Sequence, residues 1–287
     1  MLFVALAGLS GLVWGIGDFA GGKATQRALP LPVAEVSKLA SLPLLALYLA
    51  LAYVPAHGGS LGWGALAGVV GMVGVVVFYR ALSAGAMTVV APVTAVTSAA
   101  IPVVVGLVRG ERPGAVALVG VTCALVAIAL VSLVPGRPEQ ASPVTGGLVG
   151  LAVVAGVSFA LFFVFLAQAN TSAGGDAGLW PVGSAQLAAL GAGAALLAVR
   201  GARGREGWPR RTALRWALVA GPFDMTANAL YLVATRHGDL SLVAPLAALY
   251  PVTTVLLALA VDRERLRGLQ VVGLGLALAA LLLVSSR

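Results

Sequence analysis

Three polar side chains interrupt a long apolar stretch, WALVAGPFDMTANALYLV, in the second half of the sequence. Asp224, Asn228 and Tyr231 lie at positions i, i+4 and i+7, so in an α-helix they share one face. A carboxylate, an amide and a phenol on one face can hold a cation, a proton or a hydrogen-bonding solute. The alternative is that Asp224 pairs with one polar neighbour and only holds helices together.

A tryptophan and a second carboxylate form a similar pair in the first apolar stretch. Trp14 and Asp18 lie one helical turn apart, and an aromatic ring beside a carboxylate suits an ammonium group. Asp18 also lies at a depth similar to that of Lys38, so an ion pair between Asp18 and Lys38 is an equally good explanation. Glu35, three residues before Lys38, is a second candidate partner for the lysine, and we interpret it as structural.

Hydroxyl groups mark a third candidate surface. Thr94, Thr97 and Ser98 form one stripe, and an internal repeat described below places Thr97 opposite Tyr250. Hydroxyls in apolar helices often bond to their own helix or to a neighbour, so the stripe is either a solute-binding surface or a helix contact. The candidate substrate-binding residues are therefore Trp14, Asp18, Thr94, Thr97, Asp224, Asn228, Tyr231 and Tyr250.

The elements that position these side chains are membrane spans. The chain of 287 residues is 60% hydrophobic and 10% charged, whereas soluble domains are about 25% charged. Stretches long enough to cross a bilayer recur along its whole length, and we predict ten spans, at residues 2–22, 32–54, 61–83, 87–108, 113–134, 145–168, 178–199, 212–235, 239–260 and 266–284. An ionised Asp224 facing lipid would cost at least about 2.5 kcal/mol, so it must face protein or a wet cavity.

Composition and motifs argue against several other classes of protein. The net charge of +8 does not indicate a nucleic-acid partner, because the arginines lie in short gaps between spans without a basic patch and stacking aromatics. The single cysteine, Cys123, excludes an intrachain disulfide. The sequence has no HExxH motif, no Cys/His ligand set and no Ser/His/Asp set, so we predict neither an enzyme nor a metal or other cofactor.

An internal repeat defines the architecture. A shift of 153 residues superimposes Phe78–Val96 on Tyr231–Leu249 without a gap, and it also places Glu111 on Glu264. A shift of 139 residues relates the first spans of the two halves. The chain is therefore predicted to contain two five-helix repeats, and because five is odd the second repeat enters the membrane from the opposite side. Inverted repeats of this kind are typical of secondary transporters, with the substrate site between the repeats.

The fold class that follows is an all-α integral membrane protein with ten transmembrane helices in two inverted five-helix repeats. We divide the chain into a first repeat at residues 1–139 and a second at residues 140–287.

The motifs resemble those of the EamA family of the drug/metabolite transporter superfamily. The resemblance rests on the duplicated five-span unit, on WGIGDFAGG at the end of the first span, on VVAP and LVAP in the fourth and ninth spans, and on the GER and RER loops. It implies a ten-helix basket with a central cavity lined mainly by spans 1, 3, 4, 6, 8 and 9. It also implies export of amino acids or other small metabolites, while more distant relatives exchange sugar phosphates or nucleotide sugars.

The distribution of positive charge gives a topology that differs from the one the family implies. Of the 18 Lys and Arg residues, 14 lie near the gaps that follow odd-numbered spans. The positive-inside rule therefore places both termini outside the cytoplasm, whereas the resemblance implies cytoplasmic termini. We follow the charge count and expect a multi-pass protein of a bacterial plasma membrane.

The sequence thus predicts a transporter that exports an amino acid, an amine or a related metabolite by alternating access. Its expected partners are the lipid bilayer and a small-molecule substrate, with proton coupling left open and nucleic acid excluded. Two alternatives remain, namely an exchanger of phosphorylated sugars or nucleotide sugars and a membrane-embedded lipid-modifying enzyme. The acidic and aromatic side chains of the predicted cavity favour an ammonium group over a phosphate.

Overall fold

A computed structural model describes residues 1–51, 54–83, 87–133, 145–173, 176–201, 208–262 and 267–286. The helices are α1 (Leu2–Thr25), α2 (Pro30–Leu51), α3 (Gly58–Ser83), α4 (Met87–Val108), α5 (Ala115–Val131), α6 (Gly146–Thr171), α7 (Trp180–Gly201), α8 (Arg211–His237), α9 (Leu240–Ala247), α10 (Tyr250–Asp262) and α11 (Gly268–Ser285). Some predictions lie outside the described residues: the repeat boundary at 139 and 140, Glu264 of the repeat match, and Arg137, Arg203, Arg205, Arg263, Arg265 and Arg287 of the charge count.

The all-helical membrane architecture is confirmed. The part of the chain that the structure describes contains nine segments long and apolar enough to span a bilayer, together with the shorter apolar helix α5. Together they correspond to the ten predicted spans. The ninth span, Leu240–Asp262, comprises two helices, because α9 ends at Ala247 and α10 begins at Tyr250. A proline at position 251 cannot donate a backbone N–H there, which accounts for a break at this point.

The helix contacts have the symmetry expected of a duplicated chain. The first helix of one half packs on the third spanning helix of the other, as α1 with α8 and α6 with α3. The second and third helices pair in the same crossed way, as α2 with α8 and α7 with α3. The fourth and fifth helices of the halves meet their own counterparts, as α4 with α9 and α5 with α11. Exchanging the two halves therefore leaves the pattern of helix pairs unchanged.

Two glycines related by the 153-residue shift make the closest of these crossed contacts possible. A Cβ on Gly221 of α8 would lie 1.9 Å from the carbonyl oxygen of Ser37 in α2, and a Cβ on Gly68 of α3 would lie 2.0 Å from the carbonyl oxygen of Ala185 in α7. Only a residue without a side chain allows the backbones to approach so closely. The repeat therefore conserves a packing contact as well as a sequence pattern.

The two ends of the helix bundle are packed differently. We call the face that carries the α8–α9 connection the N-terminal face, and the opposite face, which carries the α7–α8 connection, the arginine-rich face. All eight residues of α9 are buried near the N-terminal face, whereas Thr253 is the one buried residue of α10. The part of α4 that corresponds to α9 is less enclosed, with Val89 and Ala91 half-buried. The interface between the repeats is therefore tighter at the N-terminal face.

A carboxylate from another loop holds the start of α9. Glu111 accepts hydrogen bonds from the backbone N–H groups of Leu240 at 2.9 Å and Ser241 at 2.8 Å. The first N–H groups of a helix have no partner within the helix, and a negative charge also interacts favourably with the helix dipole. Glu111 thus fixes the first half of the ninth span against the α4–α5 connection.

The close glycine contacts lead to a prediction about stability. Gly221→Ala and Gly68→Ala should each destabilise the protein by about 1–3 kcal/mol, because the added methyl group meets a backbone oxygen that cannot move aside without separating two helices. The measurement is thermal unfolding of the detergent-purified protein. Gly191→Ala is the matched control, since a Cβ on this α7 glycine has no neighbour within 4 Å, and a loss of stability in this control as large as in Gly221→Ala would contradict the explanation.

Candidate functional site

The carboxylate of Asp224 lies where α1, α2 and α8 meet. Its Oδ1 accepts a hydrogen bond from Nε1 of Trp14 at 3.3 Å, and its Oδ2 lies 3.8 Å from Nζ of Lys38. The side chains of Lys38 and Asp224 are 20% and 39% exposed, respectively. The ion pair therefore borders an accessible space instead of being sealed in protein.

This geometry corrects one of the sequence-based alternatives. An ion pair between Asp18 and Lys38 was as good an explanation of Asp18 as a binding role, but the described ion pair of Lys38 is with Asp224. The reason is the packing of α2 on α8, where Ser37 donates a hydrogen bond to the carbonyl of Ala217 at 2.9 Å and contacts Gly221. This contact turns the next residue of α2, Lys38, toward Asp224.

A glutamine from the second repeat holds Lys38 in place. Gln186 of α7 is buried, and its Oε1 lies 3.4 Å from Nζ of Lys38. Its Nε2 donates to the backbone carbonyl of Lys38 at 3.1 Å and to Oγ of Ser41 at 2.5 Å. These contacts of Gln186 orient the lysine of the candidate site.

Asp18 brings a second carboxylate close to the first. It is exposed, although it lies in a membrane-spanning helix, and it interacts electrostatically with Asp224 and with the hydroxyl of Tyr250. Gly17 beside it packs against the backbone of α8 at Asp224. Two carboxylates thus lie at this junction, and among the described side chains the ion pair there is the one between Asp224 and Lys38.

Tyr250 reaches the same place because the ninth span is broken. It is the first residue of α10, directly after the break at Ala248 and Leu249, and it is partly exposed. Broken helices near the middle of the membrane are a common way of building solute and ion sites in secondary transporters. Because Tyr250 interacts with Asp18, the break in the ninth span lies at the depth of Asp18.

An aromatic cluster forms the floor of this space. The rings of Trp14 and Phe163 lie 5.4 Å apart, those of Phe163 and Tyr231 5.0 Å, and those of Trp14 and Tyr231 5.8 Å. Tyr231 is completely buried, and its hydroxyl donates to the backbone carbonyl of Phe163 at 3.0 Å. Although the sequence placed Tyr231 with Asp224 on one face, the structure places it behind Trp14, where it supports the indole ring.

Asn228 is the neighbour of Asp224 with an unused polar atom. Its Nδ2 donates to the backbone carbonyl of Asp224 at 2.7 Å, one turn earlier in α8. Its Oδ1 is buried and has no hydrogen-bond partner among the residues that the structure describes. A buried carbonyl oxygen without a donor is rare in proteins, so Asn228 Oδ1 remains available to a donor that enters from the cavity.

The hydroxyls of α4 contact the neighbouring helix. Thr94 is buried and donates to the backbone carbonyl of Ala152 in α6 at 3.0 Å. Thr97 packs against Gly156 of the same helix, where an added Cβ would lie 2.6 Å from the Cβ of Thr97. Of the two interpretations that the sequence left open for these residues, these contacts correspond to helix packing.

Three residues outside the candidate substrate-binding set lie around Asp224 and Trp14. Lys38, Gln186 and Phe163 complete the surroundings of Asp224 and Trp14. The signal for Lys38 was present, since a lysine inside a membrane span requires a partner. No group of three or more His, Cys, Asp or Glu side chains that could hold a metal ion occurs within the described ranges.

Comparison with known proteins agrees with this architecture. The EamA-like transporter family matches residues 146–286. A crystal structure, described only as that of a protein, covers 99% of this chain and 98% of its own with a TM-score of 0.77 at 14% sequence identity, and at this identity the likeness concerns the fold alone. No curated protein matches the sequence.

The ion pair at the centre of the site can be tested by a double-mutant cycle. Lys38→Met should lower the melting temperature more in the presence of Asp224 than in the Asp224→Asn background, because the single variant leaves a carboxylate without its counter-charge. The coupling energy should exceed about 0.5 kcal/mol.

The same cycle between Lys38 and Asp18 is the control, since these residues are not paired in the structure. A coupling energy between Lys38 and Asp18 equal to or larger than that between Lys38 and Asp224 would restore the alternative that the structure overturns.

Proposed function

We propose that this chain, of which residues 146–286 match the EamA-like transporter family, is a secondary transporter that exports a small organic solute carrying an ammonium group, such as an amine or an amino acid. The observation that carries this proposal is the proximity of two carboxylates, Asp18 and Asp224, of which Asp224 alone has an ammonium partner, Lys38, among the described side chains. A negatively charged cavity inside a membrane attracts cations.

The other groups around Asp224 fit such a solute. A cation beside Asp224 would lie close to the indole ring of Trp14, whose face attracts positive charge. Asn228 supplies a carbonyl oxygen without a donor, which an ammonium N–H can satisfy. Tyr250 lies beside Asp18 and offers a hydroxyl group to polar parts of the solute.

The packing of the repeats supports alternating access. In the structure, α9 and the aromatic cluster fill the interface toward the N-terminal face, while Asp18 is exposed and α10 is loosely enclosed. We infer a state in which the cavity is reached from the arginine-rich face. By the positive-inside rule this face is cytoplasmic, so a solute would enter from the cytoplasm of a bacterial cell and leave on the opposite side after the repeats exchange conformations.

The alternative of a phosphorylated solute has weaker support. A phosphate needs several cationic donors, whereas the described cavity side chains include one, Lys38, which already lies beside a carboxylate. Arg80 is exposed near the end of α3. The family match also favours a transporter over a lipid-modifying enzyme.

A ligand panel tests the proposed substrate class. Amines and amino acids should raise the melting temperature of the detergent-purified protein, because a ligand that binds only the folded state stabilises it, by about 2.7 kcal/mol at a hundredfold excess over Kd. Asp224→Asn should abolish this increase, since it removes the carboxylate that binds the ammonium group.

Asp176→Asn is the matched control, because Asp176 pairs with Arg236 at the N-terminal face, away from the cavity. This variant should keep the ligand-dependent increase. An increase with sugar phosphates but not with amines would overturn the proposed substrate class and would support the phosphate-exchanger alternative.

A further inference from the structure

Glu35 is a buried carboxyl group that the site described so far does not use. It is 2% exposed in the middle of the contact between α2 and α7, and its Oε1 has no hydrogen-bond partner within the part of the chain that the structure describes. The absence of a side chain at Gly193 of α7 leaves room for the carboxyl group of Glu35. A Cβ at position 193 would lie 1.8 Å from Glu35 Oε1 and 2.9 Å from Cε of Met72. The surroundings of the carboxyl group are therefore apolar and tightly fitted.

Three other carboxylates among the described residues are held by partners. Glu111 accepts two backbone N–H groups, Asp176 pairs with Arg236, and Asp262 pairs with Lys23. A carboxylate that only held helices together would be expected to have a similar partner, because an isolated buried charge is very costly. Glu35 Oε1 has no such partner among the described residues, which points to a carboxyl group that carries a proton in this state.

One cationic side chain, that of Lys38, lies close to Glu35. Lys38 is one helical turn away on α2, and the two residues interact electrostatically. In the structure Lys38 is paired with Asp224 and forms no ion pair with Glu35. The elements packed around Glu35 bring few other charged groups to it: α7 contributes Gly193 and α3 contributes Met72, while Arg200 of α7 and Arg215 of α8 lie further toward the helix ends.

We propose that Glu35 is a proton-binding site and that Lys38 couples it to the cavity by moving between Asp224 and Glu35. This inference rests on the proposed function, because it is the cationic solute that displaces Lys38. When an ammonium group takes the place of Lys38 beside Asp224, the lysine turns to Glu35. The O–H bond of Glu35 then breaks, its electron pair stays on the carboxylate, and the proton leaves through the water of the cavity.

The charges balance in this exchange. Before binding, Lys38 neutralises Asp224 and Glu35 is uncharged. After binding, the solute neutralises Asp224 and Lys38 neutralises Glu35. One monovalent cation therefore replaces one proton, and the net charge of these three residues together with the bound solute stays at zero, which keeps the cost of moving the site between membrane faces low. Release of the solute on the opposite side allows Lys38 to return to Asp224 and Glu35 to take up a proton there.

The switch can be tested without a ligand by infrared spectroscopy of the purified protein. Wild-type protein at neutral pH should show the C=O stretching band of a protonated carboxyl group that Glu35→Gln removes. Asp224→Asn should also remove this band, although Glu35 is intact, because Lys38 then loses its ion-pair partner and turns to Glu35, one helical turn away. Adding Lys38→Met to Asp224→Asn should restore it. Asp262→Asn, which alters a carboxylate at a helix end, should leave the band unchanged.

Two results would overturn the inference. The first is a wild-type spectrum without a Glu35-dependent band, which would show that Glu35 is ionised in this state. The second is a band that persists in Asp224→Asn, which would show that Lys38 does not move to Glu35. Neither result depends on the identity of the transported solute or on whether a given variant still transports.

A second measurement separates failure of the switch from failure of the proposed function. Benzyltrimethylammonium is a suitable probe because it has a permanent charge and an aromatic ring and cannot itself release a proton. Proteoliposomes with an acidic interior should accumulate the probe in exchange for protons that leave. Glu35→Gln should lose this gradient-driven accumulation while keeping exchange of labelled for unlabelled probe. Accumulation by Glu35→Gln equal to wild type would contradict proton binding at Glu35, whereas absence of both accumulation and exchange in wild-type protein would count against a cation transporter.

Discussion

The high cost of an unpaired charge inside a membrane is the constraint on which the rest of the structure depends. Asp224 lies in the middle of α8, where an ionised carboxylate exposed to lipid would cost at least about 2.5 kcal/mol. The protein meets this cost with the ammonium group of Lys38 and the indole N–H of Trp14. Both donors come from the first repeat and the carboxylate from the second, so the pairing of these charges requires the two repeats to be assembled.

The assembly in turn depends on close contact between helices. The glycines Gly68 and Gly221 let α3 approach α7 and α8 approach α2 to the distance of backbone contact. The contact of α2 with α8 places Lys38 beside Asp224, and the symmetry-related contact of α3 with α7 belongs to the same interface as Gln186, which holds Lys38. A packing contact that the repeat duplicates therefore also determines the arrangement of charges.

The same duplication permits the two repeats to adopt different conformations. The ninth span is broken before Tyr250, and its first half is wholly buried and held by Glu111, whereas α4, its counterpart, is a continuous helix that is less enclosed. In the transport cycle that we propose, the two repeats exchange these environments, because each conformation is available to the same sequence pattern. The polar junction at Asp224 lies between the enclosed and the accessible parts, where a solute would be held during this exchange.

The sequence by itself was enough to predict the ten spans, the duplication and a carboxylate within a span at Asp224, because hydrophobic length, a constant shift and a carboxylate in an apolar stretch are local properties of the chain. It could not decide whether Lys38 pairs with Asp18 or with Asp224, since the depth of either carboxylate in the membrane is compatible with that of Lys38. Nor could it show that Tyr231 lies behind Trp14 or that Glu35 Oε1 has no hydrogen-bond partner among the described residues. Those outcomes depend on the rotation of each helix about its axis, which is decided only when the glycine contacts of the tertiary structure bring α2, α7 and α8 together.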